Sequence, residues 1–123
     1  MELTRTELFR AMNSQDVRNV KELEGQQILP IGCHTHTYED QEGKEHQVLV
    51  IKDGLTGELV KTEVQAFIKK FLAYLEAFET LPDDEKPRML IKATVSKKGN
   101  KYANFDVVDA GDAKDDFAVA VEN

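Results

Sequence analysis

Seven large apolar side chains, Val64, Phe67, Ile68, Phe71, Leu72, Leu75 and Phe78, recur at steps of three and four residues. That spacing sets them on one face of an α-helix. Burying each is worth about 1.5–3 kcal/mol, which outweighs any local propensity, so the face demands a large apolar partner. Thr62 followed three residues later by Gln65 has the pattern of a capping box and starts the helix near Glu63. Leu81-Pro82-Asp83-Asp84 ends it. No other segment has a comparable stripe, so the partner has to be a sheet.

Strand patterns stand on both sides of this helix. Gln26 to Tyr38 is rich in β-forming residues and is interrupted by Pro30 and Gly32. A polar loop, 39–44, leads to a second strand from Glu45 to Lys52. The Asp53-Gly54 and Thr56-Gly57 turns lead to a third strand from Glu58 to Thr62. After Pro87, Met89, Ile91, Ala93 and Val95 alternate along a fourth strand. Lys97-Lys98-Gly99-Asn100 turns the chain into a fifth, Lys101 to Val108, where Ala103, Phe105 and Val107 oppose Tyr102, Asn104 and Asp106. Phe67, Phe71, Leu75, Ile91 and Phe105 are the expected core. Near the start, Leu3, Leu8, Phe9 and Met12 have helical spacing, and a lead-in with Val17, Val20 and Leu23 docks onto the body.

Five strands with a helix between the third and fourth match the element order of a five-stranded OB-fold-like Greek-key barrel. The expected fold is thus all-β with one central helix, a short N-terminal helix and a flexible acidic C-terminal tail. An α+β domain with an open sheet uses the same elements. The segments are residues 1–24 (helix and lead-in packed on the body), 25–108 (barrel) and 109–123 (tail, with five acids against Lys114).

Length, charge and cysteine usage narrow the classes. The 123 residues suit one core. Apolar runs such as Val48-Leu49-Val50-Ile51 are far below the ~20 residues that cross a bilayer. Met1-Glu2-Leu3-Thr4-Arg5 lacks the apolar core of a secretory signal. Cys33, the single cysteine, fits a reducing compartment and a cytoplasmic location, and it should point inward. A net charge of -7 argues against attraction of the whole molecule to phosphate, so any nucleic-acid role needs a local basic surface.

Such a surface is legible. Between residues 86 and 105 lie Lys86, Arg88, Lys92, Lys97, Lys98 and Lys101 without a single acid. Hairpin pairing gathers this charge at the turn, where lysines can track a phosphate backbone, or can simply protect an edge from aggregation. Tyr102 follows the turn and can stack a base, worth ~1–3 kcal/mol whatever the sequence. On the first strand His34, His36 and Tyr38 share one face and form a second candidate platform. A zinc site built from His34, His36 and His46 is the competing reading of these rings. There is no glycine-rich phosphate loop, no G-x-S-x-G and no C-x-x-C, so no enzyme and no cofactor are inferred.

The run from Ile91 to Phe105, with its basic Gly-Asn turn followed by an aromatic residue, resembles the penultimate hairpin of OB-fold single-stranded DNA-binding proteins of the bacteriophage type. The acidic tail is similar to tails through which that family recruits replication and recombination proteins. The resemblance implies a non-catalytic, sequence-tolerant binder of single-stranded DNA, or RNA, acting in replication, recombination or repair in a bacterial host's cytoplasm. Its phosphate ligands would be Lys92, Lys97, Lys98 and Lys101, with Lys52 and Lys61 as weaker contacts. Tyr102, Tyr38 and His36 would stack bases. Asp112, Asp115, Asp116 and Phe117 would meet partners, and a homo-oligomer is compatible with this. The alternative is a protein-interaction adaptor that uses its acidic surface.

Overall fold

The computed structural model describes residues 2–13 and 17–108. In chain order these form α1 (Arg5–Asn13), β1 (Arg18–Asn19), a 3₁₀ turn (Val20–Leu23), β2 (Gln27–Ile28), β3 (Pro30–Glu39), β4 (Glu45–Asp53), β5 (Leu59–Thr62), α2 (Gln65–Phe78), β6 (Arg88–Val95) and β7 (Lys101–Val108). The strands make two sheets, β1-β5-β4-β3 and β2-β6-β7, all antiparallel except β1 beside β5. The fold is thus mostly β, with two helices.

β2 and β3 are separated only by Leu29, so one stretch of chain pairs with β6 at its start and with β4 thereafter. The buried carboxylate of Asp53 organises this corner. It accepts hydrogen bonds from the amides of Leu29 (3.1 Å) and Leu55 (2.9 Å) and from the Thr56 hydroxyl (3.1 Å). The Gly54 amide donates to the Leu29 carbonyl at 2.7 Å, and a Cβ on Gly54 would lie 2.7 Å from the Ile31 side chain. A glycine is needed here for close approach.

Among the described residues no ladder joins β5 to β7, so hydrogen-bonded closure of a barrel is not present. Both edges are otherwise engaged. The second edge of β5 pairs with β1, Arg18 opposite Val60, and Lys70 from α2 donates to the Phe105 carbonyl on β7.

The main core lies where α2 meets both sheets. Phe67, Phe71, Phe105, Ile51, Met89 and Ile91 are almost completely buried, and Phe67 meets Phe105 with ring centroids 4.9 Å apart. The stripe on α2 is rotated from the expected one. Leu72 is largely exposed, Leu75 is half-buried, and Tyr74 is buried instead, its hydroxyl donating to the Pro87 carbonyl at 2.7 Å. A tyrosine can enter a core when its one polar atom finds an acceptor.

α2 also begins later than expected. Val64 precedes it without a side-chain cap, and the Thr62 hydroxyl accepts from the Val64 amide rather than forming a capping box with Gln65. Reciprocal capping occurs elsewhere, at Thr4 with Glu7 and at Asn19 with Glu22.

A second, smaller core sits on the opposite face of the β3–β4–β5 sheet. Leu3, Ala11 and Val17 cover Val48, Val50 and Leu59, with Leu8 packed alongside. α1 docks through these residues, whereas Phe9 and Met12, expected on its apolar face, are 68% and 57% exposed. Alanine at position 11 lets the helix approach the sheet where a larger side chain would hold it off. Val95 is likewise exposed, because β6 runs past the end of the core. No helix among the described residues is long and apolar enough to cross a membrane.

Candidate nucleic-acid interface

The β6–β7 hairpin closes where the sequence implies. Gly99 adopts a φ of 85°, a left-handed conformation natural to glycine, while the Ser96 amide donates to the Asn100 carbonyl at 2.8 Å. Lys97 and Lys98 project from this turn, exposed and without a carboxylate partner among the described residues. Thr94 lies opposite Tyr102 and Lys92 opposite Asn104, so Lys92 and Tyr102 point to the same side of the hairpin.

The expected compact ridge of ammonium groups is divided. Lys86 is buried and paired with Asp83 at 2.7 Å, which removes it from the surface. Lys92 is held by Asp106 at 2.9 Å, and Lys101 lies 3.5 Å from Glu24. Lys52 on β4 is paired with Glu7 of α1. Lys61, half-buried on β5 opposite Val50, has no such partner among the described residues. The Lys92 hydrogen bond holds the Asp106 carboxyl below its ordinary range, and Lys52 does the same to Glu7.

A groove of about 530 Å³ runs between this hairpin, the end of β5 and the 3₁₀ turn. Lys21, Lys92, Lys101 and Tyr102 line it together with Glu24 and Glu63. Lys21 was not a candidate from sequence; the Asn19/Glu22 capping box that presents it was the signal that could have found it. A larger hollow of about 780 Å³, between the N-terminal segment, β3 and α2, is lined by Leu3, Leu72 and Leu75 with Glu2 and Glu79, and by no lysine or arginine.

Glu63, part of the groove's lining, also meets side chains of β3 and β4. The Tyr38 hydroxyl donates to the Glu63 carboxylate at 3.2 Å, and His46 Nδ1 lies 3.4 Å from it. Tyr38 and His46 are cross-strand partners whose rings stack with centroids 5.0 Å apart and planes 15° apart. His46 Nε2 meets Asp40 at 2.8 Å, which holds the Asp40 carboxyl low. Desolvation and the Glu63 charge push the Tyr38 phenol up.

His34 and His36 stack on each other farther along the same face, at 5.9 Å. Burial, then the neighbouring His34, push His36 down, and among the described residues its Nδ1 has no hydrogen-bond partner. The three histidines are therefore divided between two ring pairs. Among the described residues no three His, Cys, Asp or Glu side chains are grouped to hold a metal. Cys33 is half-buried against the main core, and its burial raises the thiol.

The structure thus gathers Lys92, Lys101 and Tyr102 at one groove, and ties Tyr38 to it only through the hydrogen bond to Glu63. Lys52 lies apart, under α1. The tail candidates Asp112, Asp115, Asp116 and Phe117 lie outside the described residues. Compared with protein families, curated proteins and solved structures, the chain matches none.

Proposed function

We propose that this chain is a non-catalytic, sequence-tolerant single-stranded DNA-binding protein that supports replication, recombination or repair. The two linked sheets would work as an OB-type barrel that is open between β5 and β7. The observation that carries the reading is the groove itself, which sets Lys21, Lys92 and Lys101 around Tyr102 and leads through Glu63 to the Tyr38–His46 ring pair. A groove that sets lysines beside an aromatic face suits a single strand, whose bases are free to stack, better than a duplex, whose bases are not. Lys97 and Lys98 at the turn would meet phosphates beyond the groove.

Fluorescence anisotropy with single- and double-stranded oligonucleotides at two salt concentrations tests this. Single strands should bind more tightly and lose affinity steeply with salt; equal or absent binding of both would refute the reading.

A second reading, a protein-interaction adaptor, is favoured by Phe9 and Met12, which lie one turn apart and exposed on α1. It requires that oligonucleotides fail to bind at physiological salt.

A further inference from the structure

We propose that Glu7, Glu24 and Asp106 are internal competitors for the nucleic-acid strand, so that binding proceeds by exchange of these carboxylates for phosphates. The proposal rests on the single-strand-binding reading and adds to it the residues that set affinity and salt response. Three of the cations assigned to phosphate contact, Lys52, Lys101 and Lys92, each already face one of these acids. The acids come from three separate parts of the chain, α1, the end of the 3₁₀ turn and β7; Glu24 and Asp106 meet lysines that line the groove, whereas Glu7 meets Lys52 apart from it, under α1.

A carboxylate and a phosphate offer a lysine the same thing, anionic oxygens at hydrogen-bond distance. A phosphate arriving at one of these lysines must therefore displace the resident acid or share the cation with it. Lys92, Lys101, Glu24 and Asp106 keep substantial solvent exposure, so exchange at the groove needs no opening of the core, whereas Glu7 is mostly buried and its pair with Lys52 is the weaker competitor. Asp106 also lies 3.9 Å from Lys70, which already bonds the Phe105 carbonyl and can retain the acid once Lys92 turns away. Glu7 has a second role as the capping acid of α1, where its carboxylate accepts from the Thr4 amide at 2.9 Å. Glutamine can keep that cap while removing the charge.

The test compares wild type, Glu24→Gln, the triple variant Glu7→Gln/Glu24→Gln/Asp106→Asn, and a control, Glu76→Gln/Asp84→Asn/Glu85→Gln. The control removes the same charge from exposed positions of α2 and the following loop. Each would be titrated with oligo-dT across a salt series. Exposed ion pairs of this kind are worth about 1.5- to fivefold each, so the triple variant should bind about tenfold more tightly. Its salt slope should steepen by about 0.7 for each lysine released, while the control stays near wild type.

Should wild type bind and the triple variant bind no tighter, or should the control tighten equally, the exchange idea is overturned and the binding reading stands. If none of the proteins binds oligo-dT, the binding reading itself fails and takes this proposal with it. Thermal melts check folding. Glu24→Gln, which alters only an exposed side chain at the end of the 3₁₀ turn and outside both cores, decides the matter alone if the triple variant does not fold.

Discussion

Replacing Lys97 and Lys98 together by glutamine isolates the uncompensated part of the cationic surface. Both lie at the β6–β7 turn, exposed and outside any ion pair among the described residues, whereas Lys92 and Lys101 face Asp106 and Glu24. For a single strand, each phosphate neutralised by an unpaired cation contributes about 0.7 to the slope of log affinity against log salt. Losing two such cations should make the slope shallower by about 1.4. Across a rise from about 50 to about 200 mM salt, wild type should then lose about sevenfold more affinity than the variant. Anisotropy titrations of labelled oligo-dT at several salt concentrations read both slopes directly. Lys69→Gln, which removes a cation from the exposed side of α2, is the control and should leave the slope unchanged. An unaltered slope in the double variant would mean that the turn does not meet the strand and that the groove has been oriented wrongly.

Tyr102→Ala should weaken oligo-dT binding by about fivefold to 150-fold, the loss of one stacked base, while Tyr102→Phe stays near wild type. Similar affinity in the alanine variant would remove the tyrosine from the interface. Phe105→Ala, at a side chain with no exposure that packs on Phe67, should cost about 3–5 kcal/mol in urea denaturation. A loss under about 1 kcal/mol would contradict the packing described. Acid should destabilise the fold through Glu7, Asp40 and Asp106, whose carboxyls are held low by Lys52, His46 and Lys92 respectively. A depressed carboxyl contributes stability that is present above its unfolded pKa and is lost as pH falls through the folded one. Urea midpoints should therefore hold from neutral pH to the ordinary carboxylate range and decline below it. Asp106→Asn should flatten that decline, and an identical acid response in that variant would exclude the pair as a contributor.

The parts of the molecule legible in the sequence are those governed by local periodicity. α2 and both long hairpins follow from apolar spacing and turn residues, because helix and strand periods are properties of neighbouring residues. Tyr74 was missed although it shares the spacing of Phe67, Phe71 and Phe78; what lets its polar hydroxyl be buried is the Pro87 carbonyl, thirteen residues on. β1 was missed because two residues carry no alternation, and its pairing with β5 is set by docking of the whole N-terminal segment.

The cationic hairpin shows the same limit in the candidate site. Counting charges between residues 86 and 105 finds no acid, yet Asp106 begins just beyond that window and Glu24 reaches Lys101 from the far end of the chain. Linear charge density predicts where lysines gather; only the fold decides which of them remain uncompensated. His46 was weighed as a metal ligand, whereas cross-strand register makes it the stacking partner of Tyr38.

The corner at Leu29 gives the molecule an unusual mechanical economy. Because a single run of chain serves first one sheet and then the other, the bonds around Asp53 and Gly54, together with the core under α2, set how the strand carrying Tyr38 stands to the Tyr102 hairpin. On the proposed reading, a change at that knee would alter how the two ring surfaces stand to each other from a point outside the groove.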